Sequence, residues 1–198
     1  MPELNLAAAS VRARLDLETQ RRLVEQIKAV ARASPFVRPV ARGGLPMSVQ
    51  VTCAGELGWV GDGEYHYSPV DSRGRPWPPI PEEWISIANR VVGRELPWDC
   101  AIINWYAPGA RLGEHADLSE RDRTKPIVTI SLGDAASWTI RRWAGAPIHR
   151  TRLESGDVTV LEDETRLALH AIERLVECPM FSPFDVPGRG SITLRVAG

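Results

Sequence analysis

Apolar side chains recur at helical spacing near the start of the chain. Leu23, Ile27 and Val30 fall on one face with Arg, Glu and Lys between them, which predicts a helix over residues 16–33. Ser34-Pro35 ends it, because proline disfavours helical geometry in the residue before it. Trp84, Ile87, Ala88 and Val91 predict a second, shorter helix over 81–92. From residue 100 onward short apolar runs bounded by Gly, Pro and Asp predict strands over 101–106, 126–132, 137–142, 157–161 and 191–196. Between the two helices the chain is punctuated by glycines and by Arg73-Gly74-Arg75-Pro76-Trp77-Pro78-Pro79. It also carries Trp59, Tyr65, Tyr67 and Trp77, so this stretch reads as short strands and loops. Many short strands after a helical lead-in predict a mainly β fold with flanking helices. The architecture expected is a double-stranded β-helix of the jelly-roll or cupin kind.

Composition narrows the class. The 198 residues suit one domain spanning 1–198, with 43% hydrophobic and 25% charged residues, as in ordinary globular proteins. No apolar run approaches the roughly 20 residues a membrane span needs, and no secretory leader is visible. Cys53, Cys100 and Cys178 are odd in number, far apart and form no CxxC pair. They read as reduced thiols of a cytoplasmic protein, taken to be a monomer. The net charge of −1 means that any nucleic-acid footprint must be local. Arg121, Arg123 and Lys125, or Arg141, Arg142, Arg150 and Arg152, could supply one, or could be a solvated mixed-charge surface.

His115-Ala116-Asp117 puts an imidazole and a carboxylate two residues apart, a spacing that on a strand projects both from one face. Two histidines and one carboxylate on one side of iron leave positions open for a cosubstrate and dioxygen. His170 is the best second histidine; His66 and His149 lie among polar residues and read as surface groups. An isolated HxD also arises by chance. In the last strand Arg189, Ser191, Thr193 and Arg195 share one parity, while Ile192, Leu194 and Val196 share the other. Arginines facing a barrel interior need an anion, which a dicarboxylic acid would supply; the alternative is a solvent-facing edge. Asn104 and Tyr106 share one face just before the HxD, either closing a turn at Pro108-Gly109 or holding a carboxylate.

Here the residues resemble a family. Asn104-Trp105-Tyr106-Ala107-Pro108-Gly109-Ala110-Arg111-Leu112 followed by His115-Ala116-Asp117 is similar to the NxYxPGxxLxxHxD signature of the AlkB dioxygenases. Residues 126–133, Gly156-Asp157 and 166–170 are similar to the strands that follow it, and Arg189 to Arg195 resembles an RxNxTxR ending with Ser191 in place of Asn. Ser34-Pro35-Phe36, Leu57-Gly58-Trp59 and Tyr65-His66-Tyr67-Ser68-Pro69 resemble the bacterial recognition lid, so the likeness runs from about residue 34 to the end. It implies a recognition-lid region over about 34–99 and a jelly-roll core over about 100–198.

The resemblance implies Fe(II) bound by His115, Asp117 and His170, which are also the catalytic set. It implies 2-oxoglutarate held by Asn104, Tyr106, Arg189, Ser191 and Arg195, with Arg195 at the distal carboxylate and ascorbate as the reductant in vitro. The implied reaction hydroxylates an N-methyl group on a base of DNA or RNA, single- or double-stranded, and releases formaldehyde. Trp59 would stack on the base, with Tyr65, Arg75 and Ser119 completing the substrate side. Ser119 stands where the bacterial pattern has a second aspartate, Leu161 where it has tryptophan and Leu45 where it has tyrosine. These departures fall on the substrate side. Three classes stay open: a base demethylase acting in alkylation repair, the same chemistry on a modified tRNA base or small molecule, and a binding protein without catalysis.

Overall fold

A computed structural model describes residues 6–176 and 184–198, so Cys178 lies outside the described residues. A short helix α1 (Leu6–Ala9) and strand β1 (Val11–Arg14) precede the long helix α2 (Leu17–Ala33). Asp16 caps α2 by accepting a 2.8 Å hydrogen bond from the Thr19 amide, satisfying a donor that the first helical turn leaves free. Its apolar stripe, Leu23, Val24, Ile27 and Val30, is buried. Helix α3 (Glu82–Val92) buries Trp84, Ile87 and Ala88 in the same cluster and ends at Gly93, whose φ of 71° is a left-handed stop. Both helices lie within one residue of the predicted bounds.

Two sheets form the body. The larger is ordered β1-β10-β7-β12-β5-β2, with β2 (Gln50–Gly55), β5 (Cys100–Tyr106), β7 (Ile127–Gly133), β10 (Asp157–Leu161) and β12 (Arg189–Arg195). The smaller is ordered β6-β11-β8-β9, with β6 (Leu112–His115), β8 (Ala135–Arg141), β9 (His149–Leu153) and β11 (Leu169–Val176). Every pairing in both sheets is antiparallel. This is the expected double-sheet barrel. Strands β3 (Gly58–Gly61) and β4 (Tyr65–Ser68) form a separate hairpin.

Strand β12 carries the architecture. All seven of its residues are buried, so the solvent-facing alternative for its arginines is excluded. Ile192 and Leu194 join the apolar cluster beneath α2 and α3, while Arg189, Ser191, Thr193 and Arg195 line a cavity between the sheets. The period of two read in the sequence is therefore the division between core and cavity. Strand β2 pairs along β5 from Gln50 to Gly55, so part of the 34–99 region belongs to the larger sheet. Among the described residues no helix is long and apolar enough to cross a membrane.

Candidate metal and cosubstrate site

The smaller sheet brings the two histidines together. His170 on β11 is the direct Cα partner of His115 at the end of β6, and their ring centroids lie 4.4 Å apart. Asp117 follows just past the end of β6, in the loop. Its Oδ1 lies 3.9 Å from His115 Nε2 and its Oδ2 3.7 Å from His170 Nε2. One ligand atom from each residue falls within 4.8 Å of the others. Each Nδ1 sits against a backbone carbonyl, that of Gly113 at 2.9 Å and that of Ala168 at 3.0 Å. Donation from Nδ1–H to those carbonyls fixes the tautomer and leaves both Nε2 lone pairs facing Asp117. The donor set thus fits a divalent metal with a two-histidine, one-carboxylate face.

Electrostatics favour the ligand forms. Burial pushes the His170 imidazole down to about 4, so it is neutral at physiological pH. Burial would raise the Asp117 carboxyl, but Arg195, His170 and His115 together hold it well below the usual carboxylate range. Among the described residues His66 and His149 take no part in a metal-binding group.

The cavity beside these ligands has a volume of about 470 Å³ and runs from β12 to the β3–β4 hairpin. Asn104, Tyr106, Arg189, Ser191 and Arg195 all line it. Arg189, 1% exposed, donates through Nη2 to Ser131 Oγ at 2.6 Å and through Nη1 to the Asp134 carbonyl at 3.3 Å. Tyr106 lies against Ser191, and burial pushes its phenol up to about 12. The Nε atoms of Arg189 and Arg195 are buried and find no hydrogen-bond partner among the described residues. Buried guanidinium nitrogens left free at a cavity wall fit an anionic ligand.

Arg195, the other arginine of β12, lies against the carboxylates of the ligand loop. Its Nη2 lies 2.9 Å from Asp117 Oδ1, beside the metal ligands, whereas Arg189 sits at the opposite end of β12. Its Nη1 is bound to Glu120, the residue next to Ser119. Glu120 is 3% exposed and also pairs with Arg166 at 3.1 Å and with the Tyr67 hydroxyl at 2.6 Å. Burial would raise its carboxyl, but Arg195 and Tyr67 hold it below its ordinary value.

On the substrate side Trp59, Tyr65 and Ser119 all line the cavity, and Ser119 is exposed. The Trp59 and Tyr65 rings are 5.1 Å apart, and Arg42 lies over Tyr65 at 5.0 Å. Gly58 lets the Trp77 indole pack against the hairpin, since a Cβ there would meet the ring at 2.2 Å. Arg75 is not brought to the cavity: its Nη2 donates to the Ala33 carbonyl at 2.8 Å and its Nε lies 3.7 Å from Asp71. Arg141, Arg142, Arg150 and Arg152 pair with Glu114, Glu164, Glu173 and Glu154, so they form a mixed-charge surface rather than a bare basic patch. Arg111, which the sequence offers only as part of a motif, also lines the cavity.

Comparison with known proteins extends this geometry. Residues 12–195 match the model of the 2OG-Fe(II) oxygenase superfamily. The chain is 40% identical over 190 residues to the alpha-ketoglutarate-dependent dioxygenase AlkB homolog of Caulobacter vibrioides, covering 92% of this chain and 83% of that one. It is 37% identical over 202 residues to the alpha-ketoglutarate-dependent dioxygenase AlkB of Escherichia coli, covering 97% and 91%. The solved structure of OsALKBH1 superposes with a TM-score of 0.80 at 25% identity, covering 93% of this chain and 94% of that one. Likeness at this level over nearly the whole length, on a fold that brings His115, Asp117 and His170 together, makes this chain a member of the AlkB family of Fe(II)- and 2-oxoglutarate-dependent dioxygenases.

Proposed function

We propose that the protein oxidatively demethylates N-alkylated bases in DNA or RNA. The observation that carries this reading is the continuity of one cavity, from the buried arginines of β12, past the three ligands, to the aromatic hairpin. Its volume lies within the range of small-ligand sites, about 300–1,000 Å³. A base must leave its stack to enter such a site, and an aromatic face at the mouth receives it.

In this reading His115, Asp117 and His170 hold iron. Arg189, with Tyr106 and Ser191 beside it, binds the distal carboxylate of 2-oxoglutarate, and Arg195 and Asn104 serve the end nearer the metal. The assignment of the two arginines follows from Arg195 lying 2.9 Å from Asp117 while Arg189 lies six residues away along an extended strand. Bound iron and 2-oxoglutarate supply the oxidation of an N-methyl group by dioxygen, with succinate, carbon dioxide and formaldehyde as products. Trp59 stacks on the base, Tyr65 backs the tryptophan, and Ser119 meets the base edge. Arg111 at the cavity, and Arg42 over the Tyr65 ring, are better placed than Arg75 to meet phosphates. The buried free thiols Cys53 and Cys100 support a reducing, cytoplasmic setting, and we take the protein to act as a monomer.

The test is incubation of methylated DNA and RNA oligonucleotides with the protein, iron, 2-oxoglutarate and ascorbate, read by mass spectrometry. Loss of one methylene mass per lesion is expected. Succinate formation with every oligonucleotide and nucleoside mass unchanged would refute the substrate class.

A further inference from the structure

Glu120 has no place in the reaction described above, yet it is among the most enclosed charged groups of the site. Its carboxylate receives three donors. The Tyr67 hydroxyl donates to Oε1 at 2.6 Å, Arg195 Nη1 donates to the same oxygen, and Arg166 Nη2 donates to Oε2 at 3.1 Å. The Glu120 and Arg166 side chains are 1% and 2% exposed. A carboxylate held in this way cannot turn to meet a base. It fixes the groups around it instead.

Those groups belong to different parts of the protein. Arg166 also donates to the Asp117 carbonyl at 3.0 Å and the Lys125 carbonyl at 2.6 Å, so it ties the ligand loop to the β10–β11 connection. Arg195 reaches from Glu120 to the Asp117 carboxylate with its other nitrogen. Tyr67 lies on β4, where it is the direct Cα partner of Trp59 on β3. The hairpin forms its own two-stranded sheet, so neither large sheet's ladder fixes its position. The bond from Tyr67 to Glu120 is a polar fastening between that hairpin and the metal-ligand loop. A continuous path therefore runs from the Trp59 strand through Tyr67, Glu120 and Arg195 to Asp117.

We propose that Tyr67 and Glu120 are positioning residues that couple the hairpin to the metal site, so that binding of the base strand and binding of 2-oxoglutarate strengthen one another. The proposal rests on the reading that the hairpin receives a nucleic-acid base. A hairpin drawn onto a base holds Tyr67 on Glu120, and Glu120 then holds Arg195 in register with Asp117. Because coupling between two binding sites is reciprocal, cosubstrate bound at Arg195 favours the closed hairpin by the same factor.

The experiment uses the full chain loaded with Mn(II), which binds without turnover, and titrates 2-oxoglutarate with and without a saturating methylated single-stranded oligonucleotide. In the wild type the oligonucleotide should tighten 2-oxoglutarate binding by about 5-fold or more. Tyr67→Phe removes only the hydroxyl, which donates to Glu120 and accepts from Arg195 Nη1 at 3.4 Å, and should bring that ratio close to one. A wild-type ratio retained in Tyr67→Phe overturns the proposal, as does a wild-type ratio of one although the oligonucleotide binds. Failure of every oligonucleotide to bind the wild type would sink the nucleic-acid reading itself. The link to Arg195 is then judged by Glu120→Gln, which should weaken 2-oxoglutarate binding about 10-fold or more without any oligonucleotide. Unchanged affinity in a folded Glu120→Gln protein overturns the link.

Discussion

His115 and His170 face one another as direct partners across the antiparallel β6–β11 pair, each with Nδ1 on a backbone carbonyl two residues earlier in the chain. The pairing register, not local sequence, brings two residues 55 positions apart into one ligand set. Replacing His115, Asp117 or His170 by alanine should abolish metal binding at micromolar protein and abolish turnover, because two remaining ligands do not form the three-point face. His149→Ala should leave both intact. Calorimetric titration with Mn(II) checks this, and loss of binding in His149→Ala with retention in His170→Ala would reverse the assignment.

The two arginines of β12 should separate in their effects. Arg189→Ala should weaken 2-oxoglutarate binding by roughly 2–5 kcal/mol, the usual cost of removing one partner of a buried charge-assisted pair, and leave Mn(II) affinity unchanged. Arg195→Ala should weaken both, because its guanidinium lies 2.9 Å from the Asp117 carboxylate. Equal loss of Mn(II) affinity in the two variants would contradict the separate roles.

Acidification should destabilise the metal-free protein. His170 is held at about 4 against an ordinary 6.5, so in that window the unfolded chain binds a proton that the folded chain does not. Stability is therefore lost as pH falls from 6.5 toward 4, by about 3 kcal/mol from this group if the depression is fully expressed. Asp117 and Glu120 are lowered carboxyls, whose contribution is present above their unfolded values and disappears as pH falls further. Thermal unfolding with a chelator present, from pH 7 down to pH 4, should show Tm falling throughout. A Tm that rises between pH 6.5 and 5 would contradict the neutral, buried His170.

Ser119 should set the choice of lesion. A ring-methylated base such as 1-methyladenine or 3-methylcytosine is cationic, and a carboxylate nearby favours it, whereas a serine hydroxyl is neutral. Ser119 is exposed at the cavity, while the Glu120 carboxylate is committed to Arg195, Arg166 and Tyr67. Ser119→Asp should therefore raise the kcat/KM ratio of 1-methyladenine over 1-methylguanine in matched oligonucleotides, by up to a few kcal/mol or roughly 10- to 100-fold. An unmoved ratio in this variant would remove Ser119 from the base edge.

Much of this was legible in the sequence because it rests on local rules. Helical spacing placed α2 and α3 within a residue, and the alternation from Arg189 to Arg195 divided cavity from core. Strands β6, β9 and β11 were not visible, since their half-buried, charge-bearing residues give no apolar run. Parity along β12 assigns a face but not a position along the cavity, so it does not tell which arginine meets which end of the cosubstrate. The clustering of Glu120, Arg166 and Tyr67 is not legible in the sequence for a similar reason. Each lies in a polar stretch, and only the tertiary fold brings one from the hairpin and one from the segment before β11 against the ligand loop.

Cosubstrate oxidation at this site removes a methyl group from a base. The direct measurement is the ratio of formaldehyde to succinate in the presence of a methylated oligonucleotide, compared with its unmethylated twin. Formaldehyde should approach one per succinate with the methylated strand, with none from the twin and neither product in Asp117→Ala. Succinate formed at the same rate with both strands, with no formaldehyde from either, would contradict it.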